Sequence, residues 1–460
     1  MAFGRRLDTL TDDEIQHPSA EAPPLPEPAA PVAKAATPAA PAAGITLEEL
    51  RRLCLTRIDP AAMHKAAPEA LQADIDQLVA QIADERRLQL NTREQRSLAL
   101  DLVRDLTGLG PLEPLLADET ITDIFVNGPH CIYVEQNGKL QQIEARFRDN
   151  AHAANVSQRI ASAIGRRIDE ASPMVDARLA DGSRVNIVFP PLSLQGPCLS
   201  IRKFAKRRID FERLIAFGSM SRGLAKALEI ASRCRLNIVV SGGTGSGKTT
   251  LLNAMSRLID PGERIITVED AAELQLQQPH VVRLETRAPN IEGKGEISQR
   301  DLVRNALRMR PDRIIIGEVR GPEAFDMLQA MNTGHDGSMS SVHANNARDA
   351  VSRIENMVLM GVANLPARAI RTQIVSAVDL IVQVQRMRDG GRRISQVAEV
   401  VGMDGDVAIL NDLFNFVFQG EGSGGRLIGE WRSTGTKPRF QDRLEYFGLE
   451  KAWAAAAAEE

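Results

Sequence analysis

Residues 242–249 read GGTGSGKT, a spacing of glycines, lysine and threonine suited to holding phosphates. Glycines free the backbone to wrap inward, so that successive N–H groups face anionic oxygens. A helix starting near Lys248 adds its positive N-terminal end. Gly243, Thr244, Gly245, Ser246 and Gly247 then form the cradle, with Thr250 following on the helix. Lys248 is expected to neutralise β- and γ-oxygens, and Thr249 to place its hydroxyl on Mg2+. The other reading is a chance Gly-rich turn. It lacks what surrounds this one: the strand-like LNIVVS before it and the helix-like TTLLNAMSRLI after it. ATP and Mg2+ are the expected cofactors.

Carboxylates follow on two further strand-like runs. RIITVED ends in Glu269 and Asp270, and IIIGEVR carries Glu318. Strand ends on one edge of an open parallel sheet are where such sheets bind ligands. Many phosphate-loop NTPases carry an aspartate where this chain has Gly317 and then Glu318. Hydrolysis needs a carboxylate to position water and acidic help with magnesium, and three carboxylates from two strands suffice to divide those tasks. Each alone is equally well read as a solvated strand end. Gly317 is expected to leave room for the loops on the nucleotide side.

TGHDGSMSSVHANN, residues 333–346, holds His335 and His343 in polar surroundings. A metal site lacks a third ligand at matching spacing. A neutral imidazole beside the γ-phosphate suits the context better. Positive charge on the transition state is a further need. Arg184 in DGSRVN and Arg202 in LSIRKF sit in strand-like sequence, though composition does not single them out among the other arginines.

These residues need elements to position them. From Leu236 onward, buried strand-like runs alternate with helical ones, the pattern of a parallel sheet with crossover helices. Ile297 to Arg310 reads as one such helix, and DLIVQVQR and RISQVAEVVGM as strands around Asp389-Gly390-Gly391. Upstream, ITDIFVNG, CIYVEQNGKL and RVNIVFPP alternate as strands, with an Asn137-Gly138 hairpin turn and a helix over Ala153–Arg167. Further upstream, Leu71, Ile75, Leu78, Val79 and Ile82 recur at helical spacing. TLEE and TREQ are read as capping boxes, giving three helices packed as a small bundle.

Residues 18–43 are nearly all Pro and Ala, and too little surface can be buried there to offset ordering entropy. That segment is read as a disordered linker, and FGRRLDTL before it as a plain tail or a partner-binding peptide. KAWAAAAAEE at the other end is read as a frayed or disordered tail. The net charge of −4 gives no global argument for nucleic-acid binding, and no basic or aromatic stripe is dedicated to a strand. The cluster KFAKRR is read as a solvated face. Cys54, Cys131, Cys198 and Cys234 form no CxxC pair, which argues against a zinc knuckle and a disulfide framework and fits a reducing compartment. No apolar run is long enough to span a membrane, and MAFGRRLDTLTDDE is not read as a signal peptide. An intracellular, cytoplasmic protein is expected.

GGTGSGKTTLLNA, TVEDAAEL, RPDRIIIGEVRGPEA and TGHDGSMSSVHANN occur in the order of the secretion-motor ATPases, where they are the Walker A, Asp box, Walker B and His box. GLGPLEPLLADETITDIFVNGPHCIYVEQNGKL, DGSRVNIVFPP and VDLIVQVQR further resemble the tight-adherence (Tad) pilus ATPases, the CpaF type. The resemblance covers roughly residues 45–430. It implies a RecA-like, phosphate-loop α/β domain at 207–430 behind an α+β domain at 109–206 and a helical bundle at 45–108. Residues 1–44 and 431–460 are left as a linker and a tail.

The resemblance also implies a homohexameric ring, peripheral at the inner membrane through pilus platform proteins. Glu318 takes the Walker B role, Glu269 falls in the Asp box and His335 with His343 in the His box. Arg184 and Arg202 match arginines that reach toward the γ-phosphate. Ser341 stands where relatives often have threonine, and keeps the hydroxyl. The alternative within the class is a type IV secretion ATPase moving protein or DNA. From outside it, a scaffold that hydrolyses nothing is disfavoured by the presence of Lys248 and Glu318.

Overall fold

The computed structural model describes residues 47–57, 68–86, 88, 90–136, 138–204, 209–287, 289, 293–362 and 364–459. The linker expected at 18–43, FGRRLDTL and most of KFAKRR lie outside them. The chain divides into two compact units, residues 1–103 and 104–460.

In the first unit, α1 (Leu47–Arg57) packs on α2 (Pro68–Glu85), and α3 (Thr92–Thr107) begins. Leu71, Ile75, Val79 and Ile82 are buried, one per turn of α2, and Leu50 and Cys54 make the matching pair on α1. The capping box of α3 falls one residue earlier than TREQ. Glu94 N–H donates to Asn91 Oδ1 at 2.9 Å, and Glu94 Oε2 accepts from Asn91 N–H at 2.9 Å. Asn is as good an N-cap as Thr and already stands outside the helix.

The second unit opens with α4 (Leu112–Ala117), then β1 (Ile121–Asn127), β2 (Ile132–Gln136), β3 (Lys139–Ile143), α5 (Asn150–Ala163), β4 (Met174–Arg178), β5 (Arg184–Val188) and β6 (Cys198–Arg202). The six strands form one antiparallel sheet in the order β3-β2-β1-β6-β5-β4. Gln136 pairs with Lys139, and Gly138 takes φ 77°, the left-handed value a two-residue hairpin requires. Strand alternation turns Val126, Val185, Ile187, Leu199 and Ile201 into one core with Val156 and Ile160 of α5. Arg184 and Arg202 therefore lie on the other face, directly opposite each other in register.

Next come α6 (Phe211–Ala216), α7 (Arg222–Arg233), β7 (Ile238–Gly242), α8 (Lys248–Ser256), β8 (Ile265–Glu269), β9 (Val281–Glu285), α9 (Gln299–Ala306), β10 (Arg313–Val319), α10 (Glu323–Asn332), β11 (Met339–Val342), α11 (Ala347–Gly361) and α12 (Ala367–Ala377). The chain closes with β12 (Leu380–Arg386), β13 (Arg392–Asp404), β14 (Val407–Glu421), β15 (Leu427–Ser433), α13 (Gln441–Phe447) and α14 (Glu450–Ala458). Nine strands form a second sheet, β15-β14-β13-β12-β7-β11-β10-β8-β9. From β12 through β9 all neighbours are parallel, and β13, β14 and β15 extend it antiparallel. Both faces of the parallel part are covered at β7, β8 and β11, whose residues are all buried. Ile238 and Val240 face Leu224, Leu228, Leu251 and Met255, whereas Val239 and Ile316 face Val303, Leu328, Ile354 and Ile370.

Arg313, at the start of β10, is buried against Glu263 in a two-pronged pair at 2.6 and 2.9 Å. The helix expected over Ile297–Arg310 is the shorter α9, fixed at its start by a Ser298–Asp301 capping box. The frayed tail is corrected. Ala-rich sequence is the strongest helix former, and α14 docks through Trp453, whose ring meets Phe414 at 6.0 Å and Phe440 at 5.0 Å. All four cysteines are free thiols.

Candidate active site

The loop between β7 and α8 carries the phosphate-binding motif. Gly245 (φ 67°) and Gly247 (φ 105°) are left-handed, conformations that cost a side-chain-bearing residue and let the chain curl. Ser246 is buried and its Oγ has no hydrogen-bond partner among the described residues, while Thr244 is exposed. Gly243 has open space where a Cβ would stand. Thr249 and Thr250 occupy the first turn of α8, where N–H groups lack intrahelical partners. Lys248 Nζ donates to the carbonyls of Gly242 (3.0 Å) and Gly243 (3.1 Å) and stands 3.6 Å from Glu318 Oε1. Burial lowers its pKa, and Glu318 opposes that shift.

Glu318 reaches Lys248 because β10 is irregular there. The pairing of β10 with β11 shifts between Ile316 and Val319, and such a bulge re-aims a side chain. Arg320, two residues on, donates through Nε to Glu318 Oε2 at 2.7 Å.

Glu269 ends β8 almost fully buried. Its Oε2 accepts from the backbone N–H groups of Glu273 and Leu274, both at 2.8 Å, and its Oε1 has no partner among the described residues. Burial raises its pKa, and the two N–H groups pull the other way. Gly317 is explained by this side chain. A Cβ there would come 2.8 Å from Glu269 Cγ, so the glycine makes room for a neighbouring carboxylate and not for nucleotide-side loops. Ser341 Oγ donates to Gly317 O at 2.6 Å, which gives the hydroxyl a structural role. Asp270 lies 3.9 Å from Arg320, and burial raises its pKa against that pull.

The two histidines part company. Val342 pairs with Ser241 and Val319, so His343, next in sequence, stands at the edge that carries Gly242 and Glu318. His335 precedes β11 and belongs to the opposite edge, where its Nδ1 lies 3.1 Å from Ala330 O. The expectation that it stands near the phosphates is corrected for this chain: β11 runs between the two. Arg184 Nη1 bonds Glu273 Oε1 at 2.8 Å, and Arg202 Nη1 lies 3.8 Å from the same oxygen.

Three site neighbours escaped the sequence reading. Glu273 is four residues beyond Glu269, Arg320 is two beyond Glu318 and just past the end of β10, and Arg392 follows the Asp389-Gly390-Gly391 turn. Arg392 Nε donates to Gly245 O at 2.8 Å, which lays the guanidinium across the loop.

The site can thus hold a phosphate chain on backbone N–H groups and Lys248. The unpaired Oε1 of Glu269 fits a hydrated divalent cation, which characteristically takes one or two carboxylates beside substrate phosphates.

Comparison with known proteins gives the same direction. Residues 105–403 match the family described as type II/IV secretion system protein. A Mycobacterium tuberculosis protein described by conjugal transfer is 42% identical over 312 residues, 66% of this chain and 88% of that one. The type IV secretion system protein VirB11 of Bartonella quintana is 30% identical, covering 64% of this chain and 92% of its own. Among solved structures, the VirB11 ATPase of Brucella suis is 32% identical, with 63% and 93% covered and a TM-score of 0.35. Among the described residues no helix is long and apolar enough to cross a membrane. The chain belongs to the type II/IV secretion system protein family.

Proposed function

We propose that the chain is a RecA-like, homohexameric motor that couples Mg-ATP hydrolysis to work on a machine in the inner membrane, docking there from the cytoplasm through platform proteins. The observation that carries the reading is the meeting of Lys248 and Glu318 at 3.6 Å beside a loop of left-handed glycines.

Bound Mg2+ would supply charge neutralisation between phosphates. Lys248 would leave the Gly242 and Gly243 carbonyls for the β- and γ-oxygens, with Gly243, Thr244, Gly245, Ser246, Gly247 and Thr250 lining the chain of phosphates. Thr249 and Glu269 would hold the cation, the carboxylate through its free oxygen. Glu318, released from Lys248, would orient and deprotonate the attacking water. His343 would sense the terminal phosphate, and Arg184 and Arg202 would neutralise charge developing on it.

Two readings of the machine remain. The N-terminal helices and the stretches quoted above favour assembly of a Tad-type pilus. The descriptions of the relatives, conjugal transfer and type IV secretion, favour movement of protein or DNA, and on that count the second reading fits better. Deleting the gene separates them: lost surface pili with intact substrate transfer supports the first, and the converse supports the second.

A further inference from the structure

Arg184 and Arg202 face each other across paired strands, an arrangement in which like charges repel. One carboxylate answers both. Glu273 Oε1 is 2.8 Å from Arg184 Nη1 and 3.8 Å from Arg202 Nη1. Both arginine side chains are about half exposed, at 43% and 57%, so neither is locked in place by packing. The turn that carries Glu273 is itself anchored, because Glu269 Oε2 accepts its backbone N–H and that of Leu274 at 2.8 Å.

The surroundings are electrostatically linked to the phosphate site. Arg202 is among the charges that lower the Lys248 pKa, although burial is the main cause. Arg184 is among those that counter the burial of Asp270. The arginines therefore stand within reach of the loop's field while paired to a carboxylate that binds no phosphate.

We propose that Glu273 is a positioning residue: it holds Arg184 and Arg202 at the rim of the site and yields them to the terminal phosphate when nucleotide binds. The multiply charged phosphate chain outcompetes a single, partly exposed carboxylate. After hydrolysis and phosphate release, Glu273 takes the arginines back, which aids departure of the diphosphate. Because its backbone is held by Glu269, the exchange also links the strand end of β8 to the six-stranded sheet. This inference rests on the proposed role of the two arginines.

The test uses the full-length protein and its Glu273→Gln and Glu273→Asp variants, each also combined with Arg202→Ala, with matched thermal denaturation as the check on folding. Affinities for Mg-ADP and a non-hydrolysable Mg-ATP analogue are measured beside kcat and KM. Removing the competing carboxylate is expected to tighten both affinities roughly threefold to tenfold and to lower kcat through slower ADP release. Glu273→Asp is expected to restore part of both changes. In the Arg202→Ala background the effect of Glu273→Gln should shrink, since the two act as one unit. Unchanged or weakened nucleotide affinity in a folded Glu273→Gln, or an effect undiminished by Arg202→Ala, overturns the proposal. If Arg184→Ala and Arg202→Ala both leave kcat unchanged, the arginine reading itself fails and this inference with it.

Discussion

The side chain of Glu269 fills the space beside Gly317, so closely that a Cβ on Gly317 would stand 2.8 Å from Glu269 Cγ. Two neighbouring strand ends thus share one space, and the acidic residue of β8 occupies the volume that β10 gives up. The atom met is the middle of an anchored side chain, not its free tip. Gly317→Ala is expected to destabilise the protein by about 1–3 kcal/mol and to cut ATP turnover at least about tenfold. Urea unfolding and a phosphate-release assay read the two effects. Unaltered stability and turnover would show that Glu269 has room to move.

Burial holds the Glu269 pKa above the usual carboxylate range. A carboxyl raised in the folded state favours folding below its unfolded value, and that stability is lost as pH rises through the folded value. Glu269→Gln, which keeps an acceptor for the Glu273 and Leu274 N–H groups, is therefore expected to raise the melting temperature at pH 8. Its advantage should fade toward pH 4. A constant difference across that range contradicts the assignment of burial as the cause.

Trp453 carries the C-terminal helices into the core against Phe414 and Phe440. Trp453→Ala is expected to cost about 3–5 kcal/mol, measured by urea unfolding, the range for emptying a buried aromatic site. A loss under about 1 kcal/mol would return this segment to a peripheral role.

How much of this was legible in the sequence differs by element. The strand before Gly243 and the helix after it were legible because the apolar run that opens β7 and the start of α8 are local patterns. Helix α14 was missed because its anchoring depends on Phe414 and Phe440, which are near only in space. The bulge at Gly317–Glu318 and the Glu273 pairing were hidden for the same reason. His335 and His343 look equivalent in one loop-like stretch, and only the four residues of β11 between them reveal opposite edges. Composition did not single out Arg184 and Arg202 among the other arginines, and only strand register sets them opposite each other.

For Arg202, turnover and binding should separate. Arg202→Ala is expected to lower kcat by about tenfold to a thousandfold while changing ADP affinity only a few-fold, as suits a charge that acts on the transferred phosphoryl group. Steady-state kinetics beside ADP titration decide it. An equal loss in both would assign Arg202 to uniform nucleotide binding.

Glu318, turned toward Lys248 by the irregularity in β10, is the residue proposed to activate water for ATP hydrolysis. The most direct measurement is single-turnover hydrolysis by Glu318→Gln at saturating Mg-ATP, with nucleotide affinity measured on the same preparation. Affinity is expected to stay within a few-fold of the parent while hydrolysis slows by about a hundredfold or more. Hydrolysis at a near-parental rate with nucleotide bound would contradict that role.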